Sequence, residues 1–137
     1  MFSWKFLMSF LIDTNIVSEL SRPAPNSGVL TWADAIPTVA LSAVTIHEVF
    51  YGLAWKPHPR IKAWFDRYLE TCEVLPITHE IAARSGELRG RLQARSIARS
   101  QSDMLIAATA QVHALTLVTR NVRDFEDCLI PLLNPFS

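Results

Sequence analysis

The sequence predicts an α/β fold in a single domain, with a mainly parallel sheet between layers of helices. Short apolar runs alternate with segments of helical periodicity, which is the pattern of strands linked by crossover helices. We predict strands at residues 10–12, 39–44, 74–77, 115–119 and 129–133. A chain of 137 residues is the length of one domain, so residues 1–137 are assigned to one unit.

The predicted helices fill the intervals between these strands, at residues 14–20, 29–36, 45–54, 59–71, 78–95 and 102–114. In the third, apolar residues recur at helical spacing from Ile46 to Ala54. In the last, apolar residues from Met104 to Ala114 occur all round the helix, which is typical of a buried helix. We expect Ser102 to cap this helix.

Composition and charge restrict the possible partners. Half of the residues are hydrophobic and 19% are charged, which excludes a disordered chain. The net charge is zero, so a polyanion would bind only through a local basic patch. The cysteines, Cys72 and Cys128, show no zinc-binding spacing, which favours a reducing cytoplasm.

The apolar start of the chain is too short for a membrane span, and Asp13 ends it. No small-residue cleavage site follows it, so a signal peptide is not expected either. The first strand pattern begins at Met8, and residues 1–7 are interpreted as a possible N-terminal extension.

Four acidic residues stand where the predicted strands lead into the following segments. Asp13 ends the first strand, and Glu48 is expected in the first turn of the helix after the second. Asp103 opens the buried helix, and Asp124 follows the strand that ends at Thr119. In parallel α/β sheets, sites form at the carboxyl ends of the strands, so these carboxylates are expected to cluster there.

Each of these carboxylates also has a structural explanation. Thr45 and Glu48 have capping-box spacing, and Asp13, Asp103 and Asp124 could each cap a helix or turn. Four caps at one sheet edge would nevertheless bring like charges together and raise their pKa values. An all-oxygen site of this kind favours magnesium, with manganese as a substitute, and such ions activate water in hydrolysis.

The sequence lacks the patterns of several other catalytic sites. His47-Glu48 begins like a zinc-protease motif, but the required second histidine is replaced by Tyr51. The chain has only four glycines, with no phosphate-binding loop, dinucleotide fingerprint or nucleophile elbow.

Four segments resemble the ordered motifs of PIN-domain ribonucleases, and especially of VapC-type toxins. They are FLIDTNIVSEL at 10–20, SAVTIHE at 42–48 with Tyr51-Gly52 after it, DMLIAATA at 103–110, and LVTRNVRDF at 117–125. They occur in the family's order and span most of the chain, whereas residues 55–99 contribute little. Two departures are Ser102, where the family often has alanine, and the residues before Met8.

The resemblance implies a PIN-like αβα sandwich and a magnesium-dependent RNA endonuclease, the toxin of a type II toxin–antitoxin pair. It implies magnesium held chiefly by Asp13 and Asp103, with Glu48 and Asp124 acting directly or through water. RNA, a small antitoxin and a second copy of the chain are the implied partners. Two alternatives remain: a related nuclease acting on DNA or structured nucleic acid, and a catalytically silent RNA-binding module.

Further polar residues are candidates for supporting roles. Thr119 and Asn121 are expected beside the pocket, where they would orient water or phosphate, or simply end a strand. Arg84, Arg91 and Arg95 share one face of the fifth predicted helix. Their arginine face is interpreted as an RNA or antitoxin contact, beside an apolar groove, or as a solvated helix edge.

Overall fold

The fold is a five-stranded sheet with helices on both faces, in a computed structural model that describes residues 9–137. The strands are β1 (Phe10–Ile12), β2 (Ala40–Ser42), β3 (Glu73–Leu75), β4 (Thr116–Val118) and β5 (Leu132–Leu133). The helices are α1 (Thr14–Leu20), α2 (Ser27–Ala35), α3 (Ala43–Trp55), α4 (Pro59–Leu69), α5 (His79–Ala94) and α6 (Gln101–His113). Two 3₁₀ helices, Val122–Asp124 and Glu126–Cys128, precede β5.

The sheet order is β3-β2-β1-β4-β5, and all four strand pairs are parallel. The predicted α/β fold with a mainly parallel sheet is therefore confirmed. The order reverses direction at β1, which lies between β2 and β4. The carboxyl ends of these central strands form the crevice where α/β folds place their sites.

Alternating strand residues divide the core into two layers. Leu11 and Leu117 pack with the apolar residues of α5 and α6, whereas Ile12 and Val118 pack with those of α1, α2 and α4. Successive strand side chains point to opposite faces, so a strand of three residues serves both layers. Five central residues of α6 are buried apolar side chains, as predicted (Met104, Ile106, Ala107, Ala108 and Ala110).

Two predicted helix starts are wrong. Helix α3 begins at Ala43, with Ser42 rather than Thr45 as its cap: the Ser42 hydroxyl accepts a hydrogen bond from Val44 N. Helix α6 begins at Gln101, and Ser100 rather than Ser102 caps it by accepting from Asp103 N. A cap is the last residue in extended conformation before the helix. Strand β2 ends at Ser42, two residues before the end of the predicted strand, so α3 begins earlier than its apolar pattern suggests.

The prediction for residues 1–7 lies outside the described residues. Among residues 9–137, no helix combines the length and hydrophobicity needed to cross a membrane.

Candidate active site

Asp13 lies at the carboxyl end of β1 and is the cap of α1. One carboxylate oxygen accepts a hydrogen bond from Thr14 N at 2.8 Å. The other accepts from the Thr119 hydroxyl at 2.8 Å and from the Asn15 amide at 3.2 Å. Only 5% of the residue is exposed. Burial raises the pKa of the Asp13 carboxyl, and the charge of Glu48 adds to this, although the three hydrogen bonds oppose it.

Glu48 faces the same region from α3. Its Oε1 accepts a hydrogen bond from the Thr14 hydroxyl at 2.8 Å, and the Thr45 and Thr14 hydroxyls are 3.0 Å apart. Because α3 begins at Ala43, Glu48 lies in the second turn of the helix. The predicted first-turn position and the capping-box explanation are therefore wrong, and Glu48 is oriented by the start of α1.

Asp103 lies in the first turn of α6, as predicted. Burial is the main cause that raises the pKa of its carboxyl, and the charges of Asp13 and Asp124 raise it further. A hydrogen bond from Ser100 has the opposite, smaller effect. Asp103 is therefore electrostatically coupled to carboxylates on both sides of it.

Asp124 ends the first 3₁₀ helix, and Arg99 attaches this segment to the rest of the domain. The Arg99 guanidinium donates to the carbonyl oxygens of Asp124 at 2.9 Å and Arg123 at 3.4 Å. It also donates to a carboxylate oxygen of Asp127 at 3.4 Å. This arginine clamp holds the backbone of the segment and leaves the Asp124 carboxylate available.

The four predicted carboxylates interact electrostatically in pairs: Glu48 with Asp13, Asp13 with Asp103, and Asp103 with Asp124. Within residues 9–137, no three His, Cys, Asp or Glu side chains are close enough to form a ready-made metal cluster. Magnesium commonly binds through only one or two carboxylates and keeps several water ligands. The donor set therefore fits this ion: its ligands are all oxygen atoms, and a cation would relieve the repulsion.

Thr119 and Asn121 differ in what they contact. Thr119 is fully buried and donates to Asp13, so it positions that carboxylate. Its hydroxyl also accepts from the Asn121 backbone N–H at 3.0 Å. Asn121 therefore supports the turn after β4 through its main chain.

Sequence reasoning missed four residues that support these carboxylates. Thr14, Asn15 and Thr45 contact Asp13 or Glu48 directly or through one another, and Arg99 holds the segment of Asp124. The first three lie within the motifs quoted above, so their position in the sequence could have identified them. Arg99 has no such signal, because its partners lie 24 to 28 residues along the chain.

The apolar residues expected to line a groove beside the arginine face of α5 do not do so, whereas a cavity beside Arg84 is lined by Leu115, Leu129, Ile130 and other residues. Ile81 and Leu92 are buried in the core and Leu88 packs against it. Arg84 pairs with a glutamate of its own helix at 3.5 Å, and Arg91 does so at 3.1 Å. These contacts favour the interpretation of a solvated helix edge, while the contact role of Arg84, Arg91 and Arg95 stays a prediction.

Comparison with known proteins identifies the class of this fold and site. Residues 10–128 match the PIN domain family. The chain is 32% identical to the VapC ribonuclease Y4jK of Sinorhizobium fredii, over 93% of this chain and 97% of that protein. It is also 32% identical to Toxin FitB of Neisseria gonorrhoeae, over 92% and 97% of the two chains.

Solved structures agree with these relatives. The crystal structure of FitAcB from Neisseria gonorrhoeae has a TM-score of 0.82 and 31% identity, covering 92% of this chain and 97% of that one. A toxin–antitoxin complex from Klebsiella pneumoniae has a TM-score of 0.75 and 31% identity, covering 94% and 99%. The chain therefore belongs to the PIN-domain family, within its VapC-type group, as its motifs predicted.

Proposed function

We propose that this protein is a magnesium-dependent RNA endonuclease that acts as the toxin of a type II toxin–antitoxin pair. The relatives named as ribonucleases support the RNA substrate, and one of them, 27% identical, is named a tRNA(fMet)-specific endonuclease. We also propose a cytoplasmic location, which an RNA substrate such as tRNA supports.

The observation that carries the proposal is the buried Asp13 carboxylate, coupled to Glu48 on one side and Asp103 on the other. Three hydrogen-bond donors hold Asp13 in place, but burial still raises the pKa of its carboxyl, so a bound cation would stabilise the ionised form. Capping alone would not require Asp13 and Asp103, from two separate segments, to lie near enough for their charges to interact.

In the proposed mechanism, Asp13 and Asp103 would hold magnesium, and Glu48 and Asp124 would bind it directly or through water. The bound ion would activate water and stabilise the charge on the phosphate. Thr14 orients Glu48, and Thr119 orients Asp13, so both carboxylates are placed before RNA binds. We expect hydrolysis to leave 5′-phosphate ends.

The test compares Asp103→Asn with wild type in RNA cleavage. Asp103 is the cleaner target, because its carboxylate is not the cap of a helix as that of Asp13 is. We expect cleavage to fall more than about 100-fold, since even outer partners of metal ligands cost 10–100-fold. The melting temperature without metal should stay equal or rise, because one repelling charge is removed.

The matched control is Asp34→Asn, which removes an exposed carboxylate near the end of α2, just before β2. Asp34→Asn should cleave RNA at the wild-type rate, and EDTA should stop cleavage by wild type and by Asp34→Asn. Full activity of Asp103→Asn at equal magnesium would contradict the assignment. A parallel series with single-stranded DNA would show whether the substrate is RNA.

A small antitoxin and a homodimer complete the proposal. The solved relatives include a toxin–antitoxin complex from Klebsiella pneumoniae. Co-expression with the product of the adjacent gene, followed by purification and mass measurement of the complex, tests both assemblies. In the same assay, Arg84→Ala/Arg91→Ala should weaken binding only if the arginine face of α5 contacts the antitoxin.

A further inference from the structure

The outer face of α3 carries exposed aromatic residues in line with Glu48. Tyr51, Gly52 and Trp55 follow Glu48 at spacings of three, four and seven residues, so all four share one side of the helix. Tyr51 is 63% exposed and Trp55 is 70% exposed, with ring centroids 6.3 Å apart. Trp55 is about 10 Å from Glu48 along the helix axis.

Contacts among residues 9–137 do not explain the glycine between these rings. Within that part of the chain, a Cβ atom at Gly52 would meet no atom of a neighbouring element within 4 Å, so packing there does not require glycine. Glycine in a helix interior also destabilises the helix relative to alanine. Gly86 on α5 has the same open space around it, so open space alone does not indicate a function. Gly52 differs from Gly86 in lying between two exposed rings.

The same end of α3 is positively charged. From Val49 to Phe65 the sequence contains Lys56, Arg60 and Lys62 and no acidic residue; Lys62 pairs with Asp66, which leaves Lys56 and Arg60 as the cations of the patch. Lys56 Nζ lies 5.6 Å from the ring centroid of Trp55. In a chain whose net charge is zero, this is a local patch that would attract a polyanion.

We propose that the α3 track, defined as Glu48, Tyr51, Gly52, Trp55 and Lys56, guides unpaired RNA into the carboxylate site. This inference rests on the proposed ribonuclease function and specifies its substrate as unpaired RNA. Bases stack on Tyr51 and Trp55, phosphates contact Lys56, and Gly52 lets the strand approach the helix. Stacking of this kind requires bases that are free of a duplex.

RNA is favoured over a protein occupant by two observations. The rings share a helix face with Glu48, so a strand lying on them leads to the proposed reacting centre. The neighbouring side chains are cations, which complement phosphates. An antitoxin on this face, or a second copy of the chain, is an outcome that the experiment distinguishes.

The first experiment measures binding of unpaired and hairpin RNA of equal length to Asp103→Asn, which retains RNA without cleaving it. Adding Trp55→Ala or Tyr51→Ala should weaken binding of unpaired RNA by roughly 5- to 100-fold for each ring removed. Trp55→Phe and Tyr51→Phe keep a ring and should retain most of the affinity. Leu129→Ala removes an even more exposed apolar side chain elsewhere and is the control.

The second experiment uses the glycines. Gly52→Ala should raise the melting temperature, because it removes a helix-destabilising residue, and yet reduce RNA cleavage. Gly86→Ala should raise the melting temperature without changing cleavage. Added RNA should also quench tryptophan fluorescence in the wild type but not in Trp55→Phe.

The outcomes separate this inference from the proposed function. If wild type cleaves RNA and the ring variants bind and cleave equally well, the α3 track is wrong while the ribonuclease stands. If the ring variants lose only antitoxin binding or dimerisation, the face is a protein interface and the inference is again overturned. If wild type cleaves no RNA under any metal condition, both fail.

Discussion

At the scale of single residues, Asp13 combines a structural and a chemical role. One of its oxygens caps α1, and the other is held by Thr119 and Asn15. The carboxylate is therefore fixed by the start of the helix and the end of β4 together. The capping hydrogen bond that starts α1 therefore also positions the candidate metal ligand. Burial of this carboxylate disfavours its charged form.

This buried charge predicts how magnesium and pH act together. The pKa values of Asp13 and Asp103 are raised above the ordinary 3.8, so the folded protein holds these protons more tightly than the unfolded chain. Without metal, the free energy of unfolding should therefore fall as pH rises above that value. The proposed magnesium ion would bind the ionised carboxylates, so its stabilising effect should grow with pH.

The measurement is the melting temperature with magnesium and with EDTA, at about pH 4.5 and about pH 8. The gain from magnesium should be larger at the higher pH and smaller in Asp103→Asn. An equal gain at both pH values would show that the ion binds elsewhere.

At the scale of elements, the carboxylates are placed by connections between segments. Thr14 of α1 binds Glu48 of α3, and Arg99, just before α6, holds the segment of Asp124. In a third connection, Asn26 N donates a hydrogen bond to the Glu19 carboxylate at 2.8 Å and fixes the loop between α1 and α2. These connections determine the relative positions of short elements that have few internal hydrogen bonds of their own.

Glu19→Gln tests the loop connection. The hydrogen bond from Asn26 N–H is the main cause that lowers the pKa of Glu19, and Arg22 lowers it further. The charged form of Glu19 therefore stabilises the fold at pH values above its ordinary pKa of 4.5. We expect Glu19→Gln to lower the free energy of unfolding by about 1 kcal/mol at neutral pH. The difference should vanish as the pH falls through the lowered pKa of Glu19.

Denaturant unfolding at a series of pH values provides the comparison, with the exposed Glu87→Gln as control. Glu87 pairs only with a solvent-exposed arginine, so its substitution should have little effect. A pH-independent loss in Glu19→Gln would mean that packing, and not charge, holds the loop.

Arg99→Ala tests the arginine clamp. Only 20% of the Arg99 side chain is exposed, and its loss would leave the carbonyl oxygens of Arg123 and Asp124 without this donor. We expect about 1–2 kcal/mol of destabilisation. We also expect about tenfold or more loss of cleavage at temperatures where the protein remains folded.

Arg67→Ala, an exposed arginine on α4, should change neither property. If Arg99→Ala destabilises the protein and leaves the cleavage rate intact, the clamp is structural only and Asp124 needs no such support.

At the scale of the whole molecule, the parallel topology brings distant segments to one edge. With β1 between β2 and β4, the residues that follow these three strands converge. Asp13, Glu48 and Asp124 follow these strands, and Asp103 at the start of α6 interacts electrostatically with Asp13 and Asp124. The two core layers on either side of the sheet then hold this edge rigid.

Removal of residues 1–7 tests where the functional domain begins. The strand pattern starts at Met8, so a chain beginning there should fold, melt and cleave RNA like the full chain. The comparison is made by thermal melting and by cleavage of the same RNA. A truncated chain that aggregates or loses activity would show that the first residues belong to the fold.

The sequence by itself determined the fold class and the approximate elements, because these depend on local apolar patterns, and its short motifs indicated the four acidic positions as candidates. Only the tertiary structure decided which hydroxyl caps each helix. Ser42 and Ser100 replace Thr45 and Ser102, because the end of the preceding extended segment determines the cap.

Tertiary packing also decided which helix surfaces remain free. Helices α3 and α5 both carry apolar residues, but those of α5 beside its arginines are buried, while Tyr51 and Trp55 of α3 are exposed. The Arg99 clamp likewise joins residues far apart in the chain, so no local pattern indicates it. Periodicity reports which residues share a face, but only the neighbours in the fold determine whether that face is covered.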